Sequence, residues 1–254
     1  MNVTWRPYVL GSLLPLTALV LWCLAALNDW SNSPVFASPA DVLRSAWELA
    51  TDGELGGAIL ASLGRYFSGL LFGATAGLVI GLLLGLSPLS RRLFGPTLRT
   101  VQQISLFAWV PLIMAWFGLA ETSKVVFIAL AAFFPVLVNT FEGVGSVPHT
   151  LVEVARVHRF SHMQMLRHVV LPAALPSIFT GLYLALIYGW LATLGAEYLM
   201  TSGSGLGSLL VDAQEQYQMD RMLLEIVLVS AIGFGLSALA GRLEKHWLRW
   251  RSVA

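Results

Sequence analysis

Two short patterns in the sequence contain residue types that could hold a ligand. His158 and His162 are four residues apart, the spacing at which two imidazoles on one helix face can chelate a metal, and residues 203–207 read GSGLG, as in some phosphate-binding loops. Neither pattern has the partners that its chemistry needs. No carboxylate is placed with the histidines as in HExxH, and the glycines have no preceding strand pattern and no following Gly-Lys-Ser/Thr. The sequence therefore predicts no metal site, no catalytic residue, and a tight external turn or a re-entrant loop at the glycines.

A second set of residues could contact a solute inside an apolar protein. Glu197 lies at the end of one long uncharged stretch and Glu225 near the beginning of another, where an ionisable group is costly unless it is paired or hydrated. Since carboxylates repel anions, purely structural roles are the alternative for both. Pro111 inside a span would kink it, and broken helices of this kind are tolerated only where protein or a water-filled cavity covers the freed carbonyls. The candidates for a translocation path are Trp109, Pro111, Trp116, Tyr188 and Glu197, with packing as the competing interpretation.

Membrane-spanning helices are the elements that must position these residues. Of the 254 residues, 57% are hydrophobic and only 11% are charged, whereas soluble domains carry about 25% charged residues. A helix needs roughly 20 apolar residues to cross a bilayer. We therefore predict an all-α polytopic membrane protein with six transmembrane helices, at residues 9–27, 66–86, 100–120, 125–141, 171–196 and 222–241. For the first stretch a cleaved signal peptide is the alternative.

The distribution of basic residues gives the orientation. Eleven of the 15 Lys and Arg fall on the side that holds both termini and the long connection after the fourth stretch, and four fall on the other side. We therefore expect the N and C termini to be cytoplasmic. The formal net charge of +1 offers a nucleic acid no electrostatic footprint, and the single Cys23 excludes an internal disulfide.

The predicted spans divide the chain into segments. Residues 1–30 would form the N-terminal end with the first transmembrane helix, and residues 31–65 a periplasmic segment with an amphipathic helix. Residues 66–243 would form a five-helix core with a cytoplasmic loop at 144–171. A cytoplasmic tail would follow at residues 244–254.

Glycines recur at every fourth residue of the second stretch. Small residues at this spacing let two helix backbones approach closely where lipid removes the hydrophobic drive to associate. We expect a packing seam, within the subunit or between two subunits, and not a set of ligand contacts. The glycines are Gly69, Gly73, Gly77, Gly81 and Gly85, and Gly233, Ser237 and Gly241 repeat the spacing in the last stretch.

The connection over residues 146–178 is too long for a simple turn and has the pattern of two short helices. Ser146, or Thr150 with Glu153 at capping-box spacing, could begin the first helix, and Ser161 could cap the second. An amphipathic pair of this kind docks a cytosolic partner or lies on anionic lipid. Arg and His fall on one face, and the other face holds Val152, Ala155, Met163, Leu166 and Val170.

The sequence Glu-Val-Ala-Arg from Glu153, followed by Val169 and Leu171-Pro172, resembles the EAA loop of the permease subunits of binding-protein-dependent ABC importers. In that family the loop is a helix-turn-helix that inserts into a groove on the ATPase subunit. One position departs, because the family usually has glycine where this chain has Arg159, and arginine at a positive φ would cost on the order of 1 kcal/mol. The resemblance implies ATPase-coupling roles for Glu153, Ala155, Arg156, Arg159, Val169, Leu171 and Pro172.

The resemblance extends over residues 39–250 and includes SPADVLRSAWEL, GAEYLMTSGSGLGSLL and the terminal LEKHWLRW. It points to the branch that imports aliphatic sulfonates, taurine, nitrate and related small oxyanions. It implies a type I importer permease of the bacterial inner membrane that works by alternating access. The implied partners are a second copy of the permease, a cytoplasmic ABC ATPase dimer, a periplasmic substrate-binding protein and membrane lipid, but no nucleic acid. The chain itself would bind no cofactor, and ATP and Mg would sit on the ATPase.

Other functions remain open from the residues alone. An ATP-independent channel or carrier suits six glycine-rich spans, but that class does not require an EAA-like loop. An intramembrane enzyme would need a nucleophile with a base or a metal site. The resemblance favours aliphatic sulfonates as the substrate, with taurine, nitrate or another small solute as alternatives.

Overall fold

The computed structural model describes residues 6–27, 36–200 and 202–247. Every regular element in these ranges is a helix, which confirms the predicted all-α class. Predictions for residues 1–5, 28–35 and 248–254 lie outside the described ranges. In chain order the helices are α1 (Arg6–Ala26), α2 (Pro39–Thr51), α3 (Glu54–Leu86), α4 (Pro88–Val101), α5 (Val110–Phe117), α6 (Glu121–Gly145), α7 (His149–Val157), α8 (His162–Met165), α9 (Leu171–Leu199), α10 (Leu206–Glu215) and α11 (Met219–Trp247), with a 3₁₀ turn at Leu106–Trp109 and a π-helical turn at Leu166–Val170.

Four helical segments are long and apolar enough to cross a membrane. They are α3, α6, the continuous segment His162–Leu199, and Met219–Arg242 of α11. A fifth span results if α4 and Leu106–Phe117 are counted together, with a bend of 91° between them. The first predicted span is helical as α1, whose 21 residues include the uncharged residues 9–26, and its crossing of the membrane remains a prediction. The side of the membrane on which each end lies remains a prediction.

The helices α3, α6 and α9 pack together at the centre of the protein. All five glycines of the predicted ladder in α3 are buried against α6. A β-carbon added to Gly69 would lie 2.6 Å from the Ile128 side chain, and one added to Gly81 would lie 2.8 Å from the carbonyl oxygen of Leu137. Since no side chain fits at these distances, glycine is what allows the two backbones to approach. The predicted packing seam is confirmed, and it lies within the subunit.

The helix α3 begins at Glu54, well before the uncharged stretch that predicted it at residue 66. Ser62 and Arg65 interrupt the apolar pattern in the sequence, but both side chains are buried in the protein. A polar residue interrupts an apolar stretch of sequence, but the helix continues through it when other protein groups hydrogen-bond to its side chain.

The amphipathic α2 packs against α11. Ser38 and Asp41 form a reciprocal capping box at its start, and the Ser38 hydroxyl, which donates to the carboxylate at 2.6 Å, holds the pKa of Asp41 below its ordinary value. Val42 and Leu49 are buried in one cluster with Leu224 of α11.

The third predicted span is broken where a kinked helix was expected. The helix α4 ends at Val101, the chain continues without regular structure to Ser105, and Pro111 then lies in the first turn of α5. Proline is well suited to the first turn of a helix because its missing N–H would have no partner there. The span is broken, as the sequence allowed, but the prediction that Pro111 makes the kink is wrong, because the break precedes it.

Candidate functional site

The first helix of the long connection, α7, begins without a side-chain cap. Pro148 occupies the N-cap position, and neither Ser146 nor Thr150 caps the helix. The Ser146 hydroxyl instead donates to the carbonyl of Gly143 at the end of α6. Both predicted caps for this helix are therefore wrong, because Ser146 bonds backward to the preceding helix.

The end of α7 has the backbone pattern of a Schellman motif. The Phe160 N–H donates to the Ala155 carbonyl at 3.0 Å, and the Arg159 N–H donates to the Arg156 carbonyl at 2.9 Å. Arg159 has φ +56°, so an arginine occupies the left-handed position that glycine fills at least cost. The turn thus keeps the geometry expected of a glycine, and the chain tolerates the strain.

The second helix begins as predicted at Ser161. Its hydroxyl accepts a hydrogen bond from the Gln164 N–H at 3.3 Å, and the Gln164 side chain accepts one from the Ser161 N–H at 2.8 Å. The chain then passes through the π-helical turn at Leu166–Val170 into α9 without a break. Pro172 stands in the first turn of α9, so Leu171-Pro172 opens the next helix.

The predicted coupling residues divide between the surface and the core. Glu153, Arg156, Arg159 and Pro172 are exposed, Ala155 is buried, and Val169 and Leu171 are half-buried. The predicted apolar face is correct at Ala155 and Val170, which are buried, but wrong at Met163, which is exposed. His158 and His162 are both exposed.

The exposed surface of α7 carries apolar side chains as well as charges. Leu151, Val154 and Val157 are exposed, with 81% of Val157 accessible. Glu153 and Arg156 lie on the same helix and are also exposed. Apolar side chains grouped on an exposed helix beside charged ones are typical of a protein-binding surface.

A hydrophobic cluster joins this connection to the spans. Val144 at the end of α6, Val170 of the π-helical turn, and Ala174 of α9 are buried together. Leu78 and Leu82 of α3 pack against the same cluster. The connection is therefore held against three of the central helices.

A cavity of about 480 Å³ lies among α6, α9 and the break before α5. Trp109 and Tyr188 line it, as predicted path residues would, together with the amides of Gln102 and Asn139. No charged side chain of the described residues lines it; the other lining residues are apolar. Its walls therefore offer hydrogen bonds and apolar contact, but no counter-ion for an anion.

The other three predicted path residues lie elsewhere. Pro111 lines a neighbouring apolar cavity of about 680 Å³ with Phe107 and Tyr198. Trp116 is exposed on α5. Glu197 lines neither cavity, and its side chain is fully buried.

Glu197 belongs to a buried ionic network at the end of the spans opposite α7. Its carboxylate accepts hydrogen bonds from Arg65 Nη1 at 2.6 Å, from the Ser62 hydroxyl at 2.8 Å and from the Gly207 N–H at 2.9 Å. The Nε and Nη2 groups of Arg65 donate to the Glu121 carboxylate. The network brings α3, α6, α9 and the start of α10 to one point.

The same network holds the glycine-rich turn at residues 203–207. Ser62 accepts from the Leu206 N–H at 3.0 Å, and the buried Lys124 donates to the Ser202 carbonyl. A β-carbon on Gly205 would lie 2.6 Å from the Glu197 carboxyl, so only glycine fits. The choice between a tight turn and a re-entrant loop remains a prediction, and Gly205 makes room for the Glu197 carboxyl.

Sequence reasoning missed Ser62, Arg65, Glu121 and Lys124 as parts of one network. Arg65 and Lys124 were counted among the basic residues of outer loops, yet Lys124 is fully buried and Arg65 nearly so. The sequence does place charged residues of both signs beside the ends of two predicted spans. Arg65 precedes one span, and Glu121 and Lys124 precede another. Such pairs are the ones that compensate charge in an apolar environment.

Residues 55–249 match the family described as the inner-membrane component of binding-protein-dependent transport systems. The chain is a member of that family. The permease is 37% identical over 242 residues to the putative aliphatic sulfonates transport permease of Bacillus subtilis strain 168, covering 95% of this chain and 87% of that protein. It is 34% identical over 238 residues to the nitrate import permease of Leptolyngbya laminosa, covering 89% and 84% of the two chains.

The fold of the permease is also found in a solved structure. An inward-facing form of the MetNI methionine ABC transporter matches 76% of this chain and 95% of its own chain, with a TM-score of 0.62 and 20% sequence identity. The predicted type I importer architecture is thereby confirmed. The permease is a transmembrane subunit of an ABC importer in the inner membrane, and its family works with an ATPase and a substrate-binding protein.

Proposed function

We propose that the permease receives the force of ATP hydrolysis through α7, which docks into a groove on a cytoplasmic ABC ATPase. The observation that carries the proposal is the exposed surface of α7, where Leu151, Val154 and Val157 stand beside Glu153 and Arg156 with no contact that covers them. Ala155 is buried, and α7 packs on the π-helical turn, so the helix has one side for the permease and another for a partner. ATP and Mg belong to that partner.

The route from α7 to the cavity runs along one continuous helix. His162–Leu199 contains Val170 in the anchoring cluster and Tyr188 in the cavity wall. Tyr188 is 18 positions after Val170, which corresponds to about 27 Å of helix at 1.5 Å per residue. A helix of that length transmits a displacement as a rigid rod, so a shift of α7 would move the cavity wall. Rocking of packed helices in this way is a common form of alternating access.

The cavity that contains Trp109 and Tyr188 is the proposed translocation path, with the neighbouring cavity at Pro111 as its continuation. Trp116 is exposed on α5, where a second copy of the permease would complete the wall of the path. Glu197 serves the path indirectly, because its network fixes the turn at residues 203–207 at one end of the spans.

We propose aliphatic sulfonates as the substrate class. The Bacillus subtilis relative bears that assignment in its name, and the cavity suits it, because apolar walls accommodate a hydrocarbon tail and amide groups can donate to a sulfonate. Nitrate is the second candidate, supported by the relative from Leptolyngbya laminosa. A periplasmic binding protein would deliver either anion.

The coupling proposal is tested by uptake into proteoliposomes that contain the permease, its ATPase and its binding protein. Glu153→Lys, or deletion of residues 149–167, should abolish ATP-dependent uptake while membrane insertion stays normal. Glu215→Lys, an exposed charge reversal on α10, is the matched control and should transport at the normal rate. Normal uptake by the Glu153→Lys protein would refute the docking role, and uptake without ATP would favour a carrier.

The substrate proposal needs a separate measurement. Radiolabelled alkanesulfonate uptake is followed in the presence of excess nitrate, and nitrate uptake in the presence of excess alkanesulfonate. Uptake of the sulfonate alone supports the assignment. Uptake of nitrate alone would overturn it without affecting the coupling proposal.

A further inference from the structure

A further, smaller cavity lies away from the two cavities of the proposed path, between α3, α10 and α11. Its volume is about 210 Å³, and it lies at the end of the spans that holds the ionic network. Glu225 of α11 and Gln218, just before α11, both contribute to its wall. Neither the coupling of α7 nor the proposed path makes use of this cavity.

Three side-chain oxygens in this cavity wall are buried and have no hydrogen-bond partner within residues 6–27, 36–200 and 202–247. They are both carboxylate oxygens of Glu225 and the side-chain oxygen of Gln218. Glu225 is fully buried, while Glu197, the other fully buried glutamate, has Arg65, Ser62 and Gly207 as donors. A buried carboxylate without a donor is among the most costly groups in a protein. Among the residues that the structure describes no group satisfies this carboxylate, and a ligand in the cavity would.

The Gln218 side chain is oriented so that its oxygen remains available. Its amide nitrogen donates a hydrogen bond to the side-chain oxygen of Gln216 at 3.0 Å. The acceptor end is left in the wall of the cavity with Glu225. The unsatisfied groups of this wall thus all accept, and a bound ligand must donate or carry positive charge.

The charge of the wall also selects for a cation. Glu54, Asp212 and Glu225 contribute three formal negative charges, and Arg221 contributes one positive charge. Within the described residues Arg221 forms no ion pair with any of these acids. A wall with this excess of negative charge attracts a cation and repels the anions that the proposed path would carry.

The arrangement favours a hydrated monovalent ion over a divalent metal or a proton. Among the described residues no group of three His, Cys, Asp or Glu side chains converges as a tight metal site requires. A single proton on Glu225 would leave at least one of the three oxygens without a donor. An ion with part of its water shell can coordinate one oxygen directly and reach the others through water, and a water occupies only about 30 Å³.

We propose that this cavity binds one hydrated monovalent cation of the Na⁺ type, held by the carboxylate of Glu225 and the side-chain oxygen of Gln218. The ion stabilises the packing of the beginning of α11 against α10, because residues of both helices line the cavity. The site is independent of which anion the importer carries.

Thermal unfolding of the full-length permease in lipid nanodiscs tests the site. Tryptophan fluorescence is followed in NaCl and in N-methylglucamine chloride at equal ionic strength. Na⁺ should raise the unfolding temperature in a saturable manner, by about 3–6 °C at ten times the half-saturating concentration. Glu225→Gln should abolish the Na⁺-dependent rise. Glu215→Gln, an exposed acid on α10 outside the cavity, should retain it.

Three results would overturn the proposal. An equal Na⁺ effect in Glu225→Gln would place the ion elsewhere. A wild-type protein insensitive to Na⁺ but destabilised at alkaline pH, with Glu225→Gln resistant, would mean that Glu225 holds a proton. A wild-type protein insensitive to Na⁺, with Arg221→Gln and Glu225→Gln destabilised to the same extent, would mean that Arg221 moves to pair with Glu225. If Glu225→Gln does not fold, equilibrium binding of ²²Na⁺ to the wild-type protein decides the matter: one ion per chain supports the site, and none refutes it.

Discussion

Removal of the Glu197 carboxylate should destabilise the permease by about 3–5 kcal/mol, the cost of breaking a buried ion pair. The side chain is fully buried and accepts from Arg65 at 2.6 Å, Ser62 at 2.8 Å and Gly207 at 2.9 Å. In Glu197→Ala the Arg65 guanidinium keeps only Glu121 as a partner. The Gly207 N–H loses its acceptor, and an unsatisfied buried donor costs about 1–3 kcal/mol. These costs overlap, so the expected total stays within the range for one buried pair.

The matched control is Glu142→Ala, which removes a carboxylate from an exposed pair. Glu142 lies 3.2 Å from Arg99, with side chains 52% and 68% exposed, and such pairs contribute about 0–1 kcal/mol. Both variants are purified in one detergent and unfolded by titration with sodium dodecyl sulfate, with helicity followed by circular dichroism. A midpoint for Glu197→Ala no lower than that for Glu142→Ala would refute the structural role of the network.

Three further substitutions have defined outcomes. Arg159→Gly should relieve the left-handed strain and stabilise the end of α7 by about 0.5–1 kcal/mol, seen as hydrogen exchange slowed by about two- to fivefold; unchanged or faster exchange would contradict this. Gly81→Ala should destabilise by about 1–3 kcal/mol, because its β-carbon would meet the Leu137 carbonyl, whereas Gly64→Ala, with open space around it, should not; detergent unfolding of both decides. Ser161→Ala should cost about 1 kcal/mol through loss of the cap, and proteolysis of the loop at an unchanged rate would argue against it.

The helical class and the position of the helical connection between α6 and α9 could be predicted from the sequence, because both depend on local patterns. Long uncharged stretches can satisfy their backbone in a bilayer only as helices. Ser161 with Gln164 is a pair three residues apart, and it forms the cap that the serine predicted. The glycine ladder of α3 repeats every four residues, and it packs as that spacing predicted.

The parts that could not be predicted depend on contacts between residues far apart in sequence. Glu197 meets Arg65 across 132 residues and Ser62 across 135. No local pattern indicates which span ends meet. The sequence therefore predicts Glu197 in a translocation path and Arg65 in an outer loop. The break before Pro111 was misplaced for a related reason. A proline in an apolar stretch can kink a helix or begin one, and the choice depends on packing that the sequence does not display.

The central claim, that α7 docks on an ATPase, is tested most directly by cross-linking. In a Cys23→Ser background, Val157→Cys places a thiol on the exposed surface of α7, and Trp47→Cys places one on α2, where the side chain is 72% exposed. A short bismaleimide is added to the assembled importer with and without ATP. We expect the Val157→Cys permease to cross-link to a single-cysteine ATPase subunit in an ATP-dependent yield, and the Trp47→Cys permease not to cross-link. Absence of the Val157→Cys cross-link in an importer that transports normally would contradict it.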